Sequence, residues 1–185
     1  MFKKGLYYKA VFCGQRCENI KSGNLFFRNR KAELEELEKN GLEPDEQLCK
    51  VMSWLEELST LELSARGFEW SLLQEGYGQV AELFGKLGKH EDKLYCECRA
   101  YECGLGLMSY YDESERVAVK AMHTQIELGR RLTKVYMEKK DYDKAFYYVD
   151  ANMDFLISAK GIVSADKIDA LFKLVLEDRE ETAKR

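Results

Sequence analysis

Apolar side chains recur at intervals of three and four residues along most of this 185-residue sequence. This spacing places them on one face of an α-helix. Only one proline, Pro44, occurs in the chain, and residues typical of the tight turns of a many-stranded sheet are few. The pattern predicts an all-α protein. Its clearest runs are Leu73, Tyr77, Val80, Phe84 and Leu87, followed by Leu94, Cys98, Tyr101, Leu105 and Met108.

Capping residues predict where the helices begin and end. Pro44 with two following acids indicates a helix start, because proline lacks only a donor that is unpaired at that position. Gly88 is typical of the residue just beyond a helix end, and Ser164 is a favourable N-cap for a last helix. Short loops between such helices make neighbours antiparallel. We therefore expect seven or eight antiparallel helices.

The length suits one domain with a continuous core, so we expect a single domain over residues 1–185. Within it we predict a helical-hairpin core over 45–160 and a C-terminal capping helix over 164–183. Residues 1–31 form a distinct basic, aromatic N-terminal segment. Its apolar spacing favours a helix, but its content of Tyr, Val and Phe leaves a hairpin of strands open.

Charge is distributed unevenly along the chain. Residues 1–31 contain eight Lys or Arg and one acid, whereas the remaining 154 residues contain 21 bases and 32 acids. Cations interleaved with aromatic side chains are typical of surfaces that bind single-stranded nucleic acid, and docking against the acidic remainder of the chain is the alternative. The candidate contacts to nucleic acid, to a ribonucleoprotein or to an acidic partner are Lys3, Lys4, Lys9, Arg16, Arg28, Arg30 and Lys31.

Residues 126–159 contain the pattern of one helical hairpin. Leu132 precedes a small residue, Tyr136 and Tyr142 flank the turn, and Ala145 lies early in the second helix. The stretch resembles a unit of the tetratricopeptide-repeat family, in which these positions let paired helices approach closely. The resemblance implies a short solenoid of stacked helical hairpins.

The resemblance has departures and one fainter copy. Thr133 replaces the commoner glycine, Asn152 stands where a second alanine is usual, and no proline closes the unit. The second copy begins at Val80, about fifty residues earlier, but has Lys93 at the alanine position. These features describe a degenerate array with lengthened helices.

Stacked hairpins share a core and leave a concave groove lined by the first helix of each unit. The resemblance therefore implies a protein- or peptide-binding adaptor, regulator or inhibitor. A nucleic-acid- or ribonucleoprotein-binding protein that uses residues 1–31 is one alternative function. A sensor of a small ligand or signalling peptide within the groove is another.

A mostly basic strip on the longest predicted helix is the candidate groove site. Its residues recur at spacings that place them opposite the apolar stripes, where arginine can bind a carboxylate or phosphate through two hydrogen bonds. A solvated face with Glu127 paired to Arg131 is the alternative. The basic strip consists of Lys120, His123, Glu127, Arg130, Arg131 and Lys134.

Catalytic and metal-binding motifs do not stand out. The spacings around Cys13, Cys17, Cys96, Cys98 and Cys103 do not match structural zinc sites, and no nucleotide-binding loop or nucleophile motif is present. We expect free thiols, no metal, no cofactor and no enzymatic activity. No apolar run is long enough for a membrane span, so we predict a cytoplasmic or nuclear protein without a membrane partner.

Overall fold

The computed structural model describes residues 32, 33, 35, 36, 39–60, 68–107 and 115–184. Most of these residues are helical and none of them belongs to a strand, which confirms the all-α prediction. The predicted contacts in residues 1–31, and the choice there between a helix and a hairpin, lie outside the described residues. The named helices are α1 (Pro44–Thr60), α2 (Phe68–Lys86), α3 (His90–Leu107), α4 (Glu115–Glu138), α5 (Tyr142–Ser158) and α6 (Ala165–Ala183).

The chain divides into two compact units, which we call unit 1 (Met1–Cys103) and unit 2 (Gly104–Arg185). The boundary falls within α3, so the predicted 45–160 core contributes residues to both units. The prediction that the chain forms a single domain stays a prediction.

The described core of unit 1 comes from α1, α2 and α3. Helices α1 and α2 pack together, and the start of α1 is linked to the α2–α3 turn by an ion pair in which Lys89 Nζ lies 3.7 Å from Asp45 Oδ1. The predicted apolar stripes supply most of the buried side chains, although Cys98 is only half-buried while Cys96 and Cys103 are buried. The largest buried members are Trp54, Tyr77, Phe84 and Tyr101.

Helix α2 ends in a Schellman motif centred on Gly88. The Gly88 N–H donates to the Gly85 carbonyl at 3.1 Å, and the Lys89 N–H donates to the Phe84 carbonyl at 2.8 Å. Gly88 has a φ of +68°, in the left-handed region where glycine avoids a Cβ clash. The predicted helix end at this glycine is confirmed.

Helix α4 ends in the same motif, 52 residues later at each equivalent position. The Lys140 N–H donates to the Met137 carbonyl at 3.0 Å, and the Asp141 N–H donates to the Tyr136 carbonyl at 2.9 Å. Lys140 therefore occupies the position of Gly88 and has a φ of +58°. The two turns share their hydrogen-bond pattern, but only one of them uses glycine at the left-handed residue.

Unit 2 has its core between α4, α5 and α6. Helix α4 packs against both α5 and α6, and α5 also packs against α6. In α6, Ile168, Leu171 and Val175 are buried, whereas Leu176 is exposed. The buried residues that form this core are Met122, Ile126, Val149, Phe155, Leu156, Ala159, Val163, Ile168, Leu171 and Val175.

Helices α4 and α5 approach closely where Asn152 lies over Gly129. A Cβ at Gly129 would lie 2.7 Å from Asn152 Cγ and nearer still to both amide atoms. The Asn152 Nδ2 atom donates to the Ile126 carbonyl at 3.5 Å, and the Thr133 hydroxyl donates to the Gly129 carbonyl at 3.0 Å. Thr133 and Asn152, which depart from the family pattern, are thus buried polar residues of one helix contact, where such groups require hydrogen-bond partners.

Candidate functional site

The basic strip on α4 is exposed along most of its length. Lys120, His123, Glu127, Arg131 and Lys134 are exposed, as predicted from their spacing opposite the apolar stripes. Arg130 is the exception, because its side chain is half-buried and contacts α6. Five of the six residues of the strip are therefore exposed, and one is directed into the packing of unit 2.

Arg130 forms an ion pair with Asp178 of α6. Its Nε and a terminal nitrogen donate to the two Asp178 carboxylate oxygens at 2.5 and 3.1 Å. The Asp178 side chain is only 7% exposed, and its hydrogen bond with Arg130 raises the pKa of that guanidinium. A two-bond contact of this kind fixes orientation as well as charge. Arg130 thus positions α4 against α6, and its charge is paired within unit 2.

An open cleft of about 460 Å³ lies beside this ion pair in unit 2. It is formed by the C-terminal half of α4, the α4–α5 turn, the first residue of α5 and the end of α6. Of the basic strip, only Lys134 lines it. The lining residues are Thr133, Lys134, Met137, Glu138, Lys140, Tyr142, Asp178, Glu181 and Thr182.

The charges that line the cleft are of both signs. Asp178 is neutralised by Arg130. Within the part of the chain that the structure describes, the side chains of Lys134, Glu138, Lys140 and Glu181 have no ion-pair partner. The cleft therefore presents two cations and two carboxylates that are available to a ligand.

Both threonines of the cleft have already used their hydroxyl donors. The Thr133 hydroxyl donates to the Gly129 carbonyl, and the Thr182 hydroxyl donates to the Asp178 carbonyl at 2.8 Å. Each oxygen keeps acceptor capacity only. The available donors at the cleft are therefore the lysines and the phenol of Tyr142.

Lys140 holds an unfavourable backbone conformation at the edge of the cleft. A left-handed conformation costs a residue with a side chain roughly 1–2 kcal/mol, and glycine avoids this cost. The equivalent position of the α2–α3 turn is Gly88. Sequence inspection missed Lys140 as a site residue, although the absence of glycine between α4 and α5 was the available signal.

Several side-chain contacts surround the α4–α5 turn. The Asp141 carboxylate accepts from the Lys144 N–H at 3.3 Å, which caps α5, and its hydrogen bond with Lys144 lowers the pKa of Asp141. Tyr136 stacks on Tyr148 with ring centroids 5.6 Å apart, and Lys144 Nζ lies 5.0 Å from the Tyr136 centroid. These contacts stabilise the turn that forms one edge of the cleft.

A second polar group lies at the edge of the core of unit 1. Arg99 pairs with Glu102 and hydrogen-bonds to Tyr77. Burial raises the pKa of Tyr77, and burial raises the pKa of the Cys103 thiol to about 12. A thiol is nucleophilic only as the thiolate, so burial leaves Cys103 inert at neutral pH.

The cysteines of the described residues, Cys49, Cys96, Cys98 and Cys103, are free thiols. Within the same residues, no three His, Cys, Asp or Glu side chains are grouped as metal ligands would be. None of the helices described combines the length and the apolar character that crossing a bilayer requires.

No protein-family model matches this sequence, and comparison with curated proteins and with solved structures gives no significant match.

Proposed function

We propose that this chain is a non-enzymatic, cytoplasmic protein that binds a protein or peptide as an adaptor, regulator or inhibitor. The proposed site is the cleft of unit 2. The observation that carries the proposal is the set of four charged side chains, Lys134, Glu138, Lys140 and Glu181, that line one open cleft without ion-pair partners among the described residues.

The size and lining of the cleft favour a segment of polypeptide. A volume of about 460 Å³ accommodates a few side chains. Met137 and Tyr142 offer apolar contact next to the charged groups. Adaptable thioether and rigid phenol side chains are both common where peptides bind. A short peptide segment uses all of these groups at once.

The proposed arrangement is a tetratricopeptide-like stack of seven or eight helices. In its support, the α2–α3 and α4–α5 turns share one hydrogen-bond pattern at a constant offset of 52 residues, as shown by Gly88 and Lys140. Buried residues recur at the same offset, for example Val80 with Leu132 and Ala100 with Asn152. In a stack of this kind the first helix of a hairpin lines the binding groove, and α4 lines the cleft.

Nucleic-acid or ribonucleoprotein binding through residues 1–31 is the second candidate, favoured by the eight bases and one acid of that segment. The two functions differ in their response to salt. Phosphate contacts release counterions, so such binding weakens steeply as salt rises, whereas cleft binding with an apolar component weakens less.

Selection of peptides from a random displayed library on the nuclease-treated full chain tests the proposal. Selected peptides are synthesised and measured by calorimetry against the wild type and two variants, Met137→Glu in the cleft and Met153→Glu outside it. Since Met153 is half-buried in the core of unit 2, circular dichroism first establishes that each variant is folded.

We expect saturable binding with Kd values of about 1–100 µM, lost in Met137→Glu and kept in folded Met153→Glu. Should Met153→Glu fail to fold, Asp169→Lys on the exposed face of α6 replaces it as the control. Failure to select any peptide, or binding that survives Met137→Glu, would overturn the proposal. Binding that instead requires residues 1–31 and nucleic acid would favour the second candidate.

A further inference from the structure

From the charges of the cleft we infer that its ligand is a peptide segment of mixed charge, with an acidic and a basic side chain on either side of an apolar or aromatic residue. This inference rests on the proposed function, because it names the class of peptide that the same cleft takes.

The balance of charge around the cleft supports a ligand of both signs. Lys134 and Lys140 are matched in number by Glu138 and Glu181, and Asp178 is neutralised by Arg130. A purely acidic peptide or a nucleic-acid phosphate would meet the two glutamates, and a purely basic peptide would meet the two lysines. Like charges brought together oppose binding. A segment with one charge of each sign offers one partner to the lysines and one to the glutamates.

The backbone conformation of Lys140 is an independent reason to infer that this lysine binds the acidic residue of the ligand. Lys140 adopts the left-handed conformation at a turn position where the equivalent residue of the α2–α3 turn is Gly88. Glycine at this position would remove the backbone strain. The lysine side chain lines the cleft and, within the described part of unit 2, has no ion-pair partner. Backbone strain of this kind is common where the side chain binds a ligand.

The apolar part of the ligand follows from Met137 and Tyr142. Both side chains line the cleft together with the four unpaired charges. An apolar or aromatic ligand residue against them contributes burial, while the flanking charges select the ligand. The expected sequence is therefore a charged residue, an apolar residue and a charged residue of opposite sign, close together in the chain.

A set of short blocked peptides with a shared Tyr-Leu centre tests this inference. Their flanking pairs are Glu and Lys, Lys and Glu, Glu and Gln, Gln and Lys, or two Gln. Calorimetry with the full chain gives Kd for each peptide. Each exposed charge pair adds about twofold to fivefold in affinity, so one of the two mixed-charge orders should bind about fourfold to twenty-fivefold more tightly than the Gln–Gln peptide. The difference should shrink as salt rises.

Two variants separate the ligand contact from the structural role of Lys140. Lys140→Gln should weaken the best mixed-charge peptide by about twofold to fivefold and leave the peptide that lacks Glu unchanged. Lys140→Gly should weaken the same peptide equally and raise Tm by about 2–8 °C, because it relieves the strained backbone. Lys139→Gln removes a neighbouring lysine that does not line the cleft, and it should leave both peptides unchanged.

We infer that Lys140 binds a carboxylate of the ligand. This would be overturned if Lys140→Gln lost affinity for every peptide, or if Lys139→Gln had an equal effect. If library peptides bind the cleft but the mixed-charge peptides bind no better than Gln–Gln, the inference is wrong and the proposed function stands. If neither library peptides nor this set bind, both are wrong.

Discussion

The close approach of α4 and α5 predicts that Gly129→Ala destabilises the protein, although alanine favours helices. A Cβ at this position would lie 2.7 Å from Asn152 Cγ, well inside normal contact distance, and both residues are buried. Helix propensity alone would favour alanine by about 1 kcal/mol. Overpacking costs about 1–3 kcal/mol, and displacing the buried amide from its hydrogen bond costs about 1–3 kcal/mol more.

The net expectation is a loss of about 1–5 kcal/mol. Urea and thermal denaturation followed by circular dichroism measure it, with a fall in Tm of about 2–4 °C per kcal/mol. Gly78→Ala in α2 is the matched control, because a Cβ there meets nothing within 4 Å. This control should gain up to about 1 kcal/mol.

A double variant tests whether Asn152 is the cause. Asn152→Ala removes the amide that a Cβ would meet, so Gly129→Ala should cost less in the Asn152→Ala background than in the wild type. If Gly129→Ala is as stable as the wild type or more stable, α4 and α5 do not pack as described. Equal costs in both backgrounds would assign the effect to another contact.

Three further predictions concern single groups. Arg130→Ala should lower the free energy of unfolding by about 2 kcal/mol, as measured by urea denaturation. It should cost more than Asp178→Ala, because the removal of Arg130 leaves a carboxylate that is only 7% exposed without its cation. The reverse order would contradict this role of the ion pair. In native alkylation followed by mass spectrometry, exposed Cys49 should react well before buried Cys96 and Cys103, and equal rates would refute their burial. Burial raises the pKa of Cys103 from 9.0 to about 12, so its contribution to stability is complete below pH 9 and is lost as pH rises towards 12. Cys103→Ala should reduce this alkaline loss in urea titrations, and an unchanged loss would count against it.

Much of the helical architecture was predictable because it depends on local signals. Pro44 begins α1 and Gly88 follows the end of α2, as capping preferences indicate. Ser164 occupies the N-cap position of α6, although its side chain forms no capping hydrogen bond. The apolar period also located the buried stripes of α2 and α3. The apolar period does not predict how wide a buried face is. Cys96 and Cys103, which lie beside the predicted stripe, are therefore more buried than Cys98, which lies on it.

The cleft could be predicted only in part, because its residues come from three helices. Lys134 was predicted from the exposed strip, whereas Glu181 lies 47 residues away and no local spacing connects them. Arg130 shared the spacing of the strip, but its partner Asp178 belongs to α6. Pairing across such a distance depends on how the helices pack, which single-helix periodicity does not determine.

The most direct test is a two-dimensional amide NMR titration of the full chain with the best mixed-charge peptide. The account predicts saturable chemical-shift changes centred on Lys134, Met137, Lys140, Tyr142 and Glu181, the residues of the cleft in unit 2. Changes confined to residues 1–31 or to unit 1, or a spectrum unaffected by saturating peptide, would contradict it.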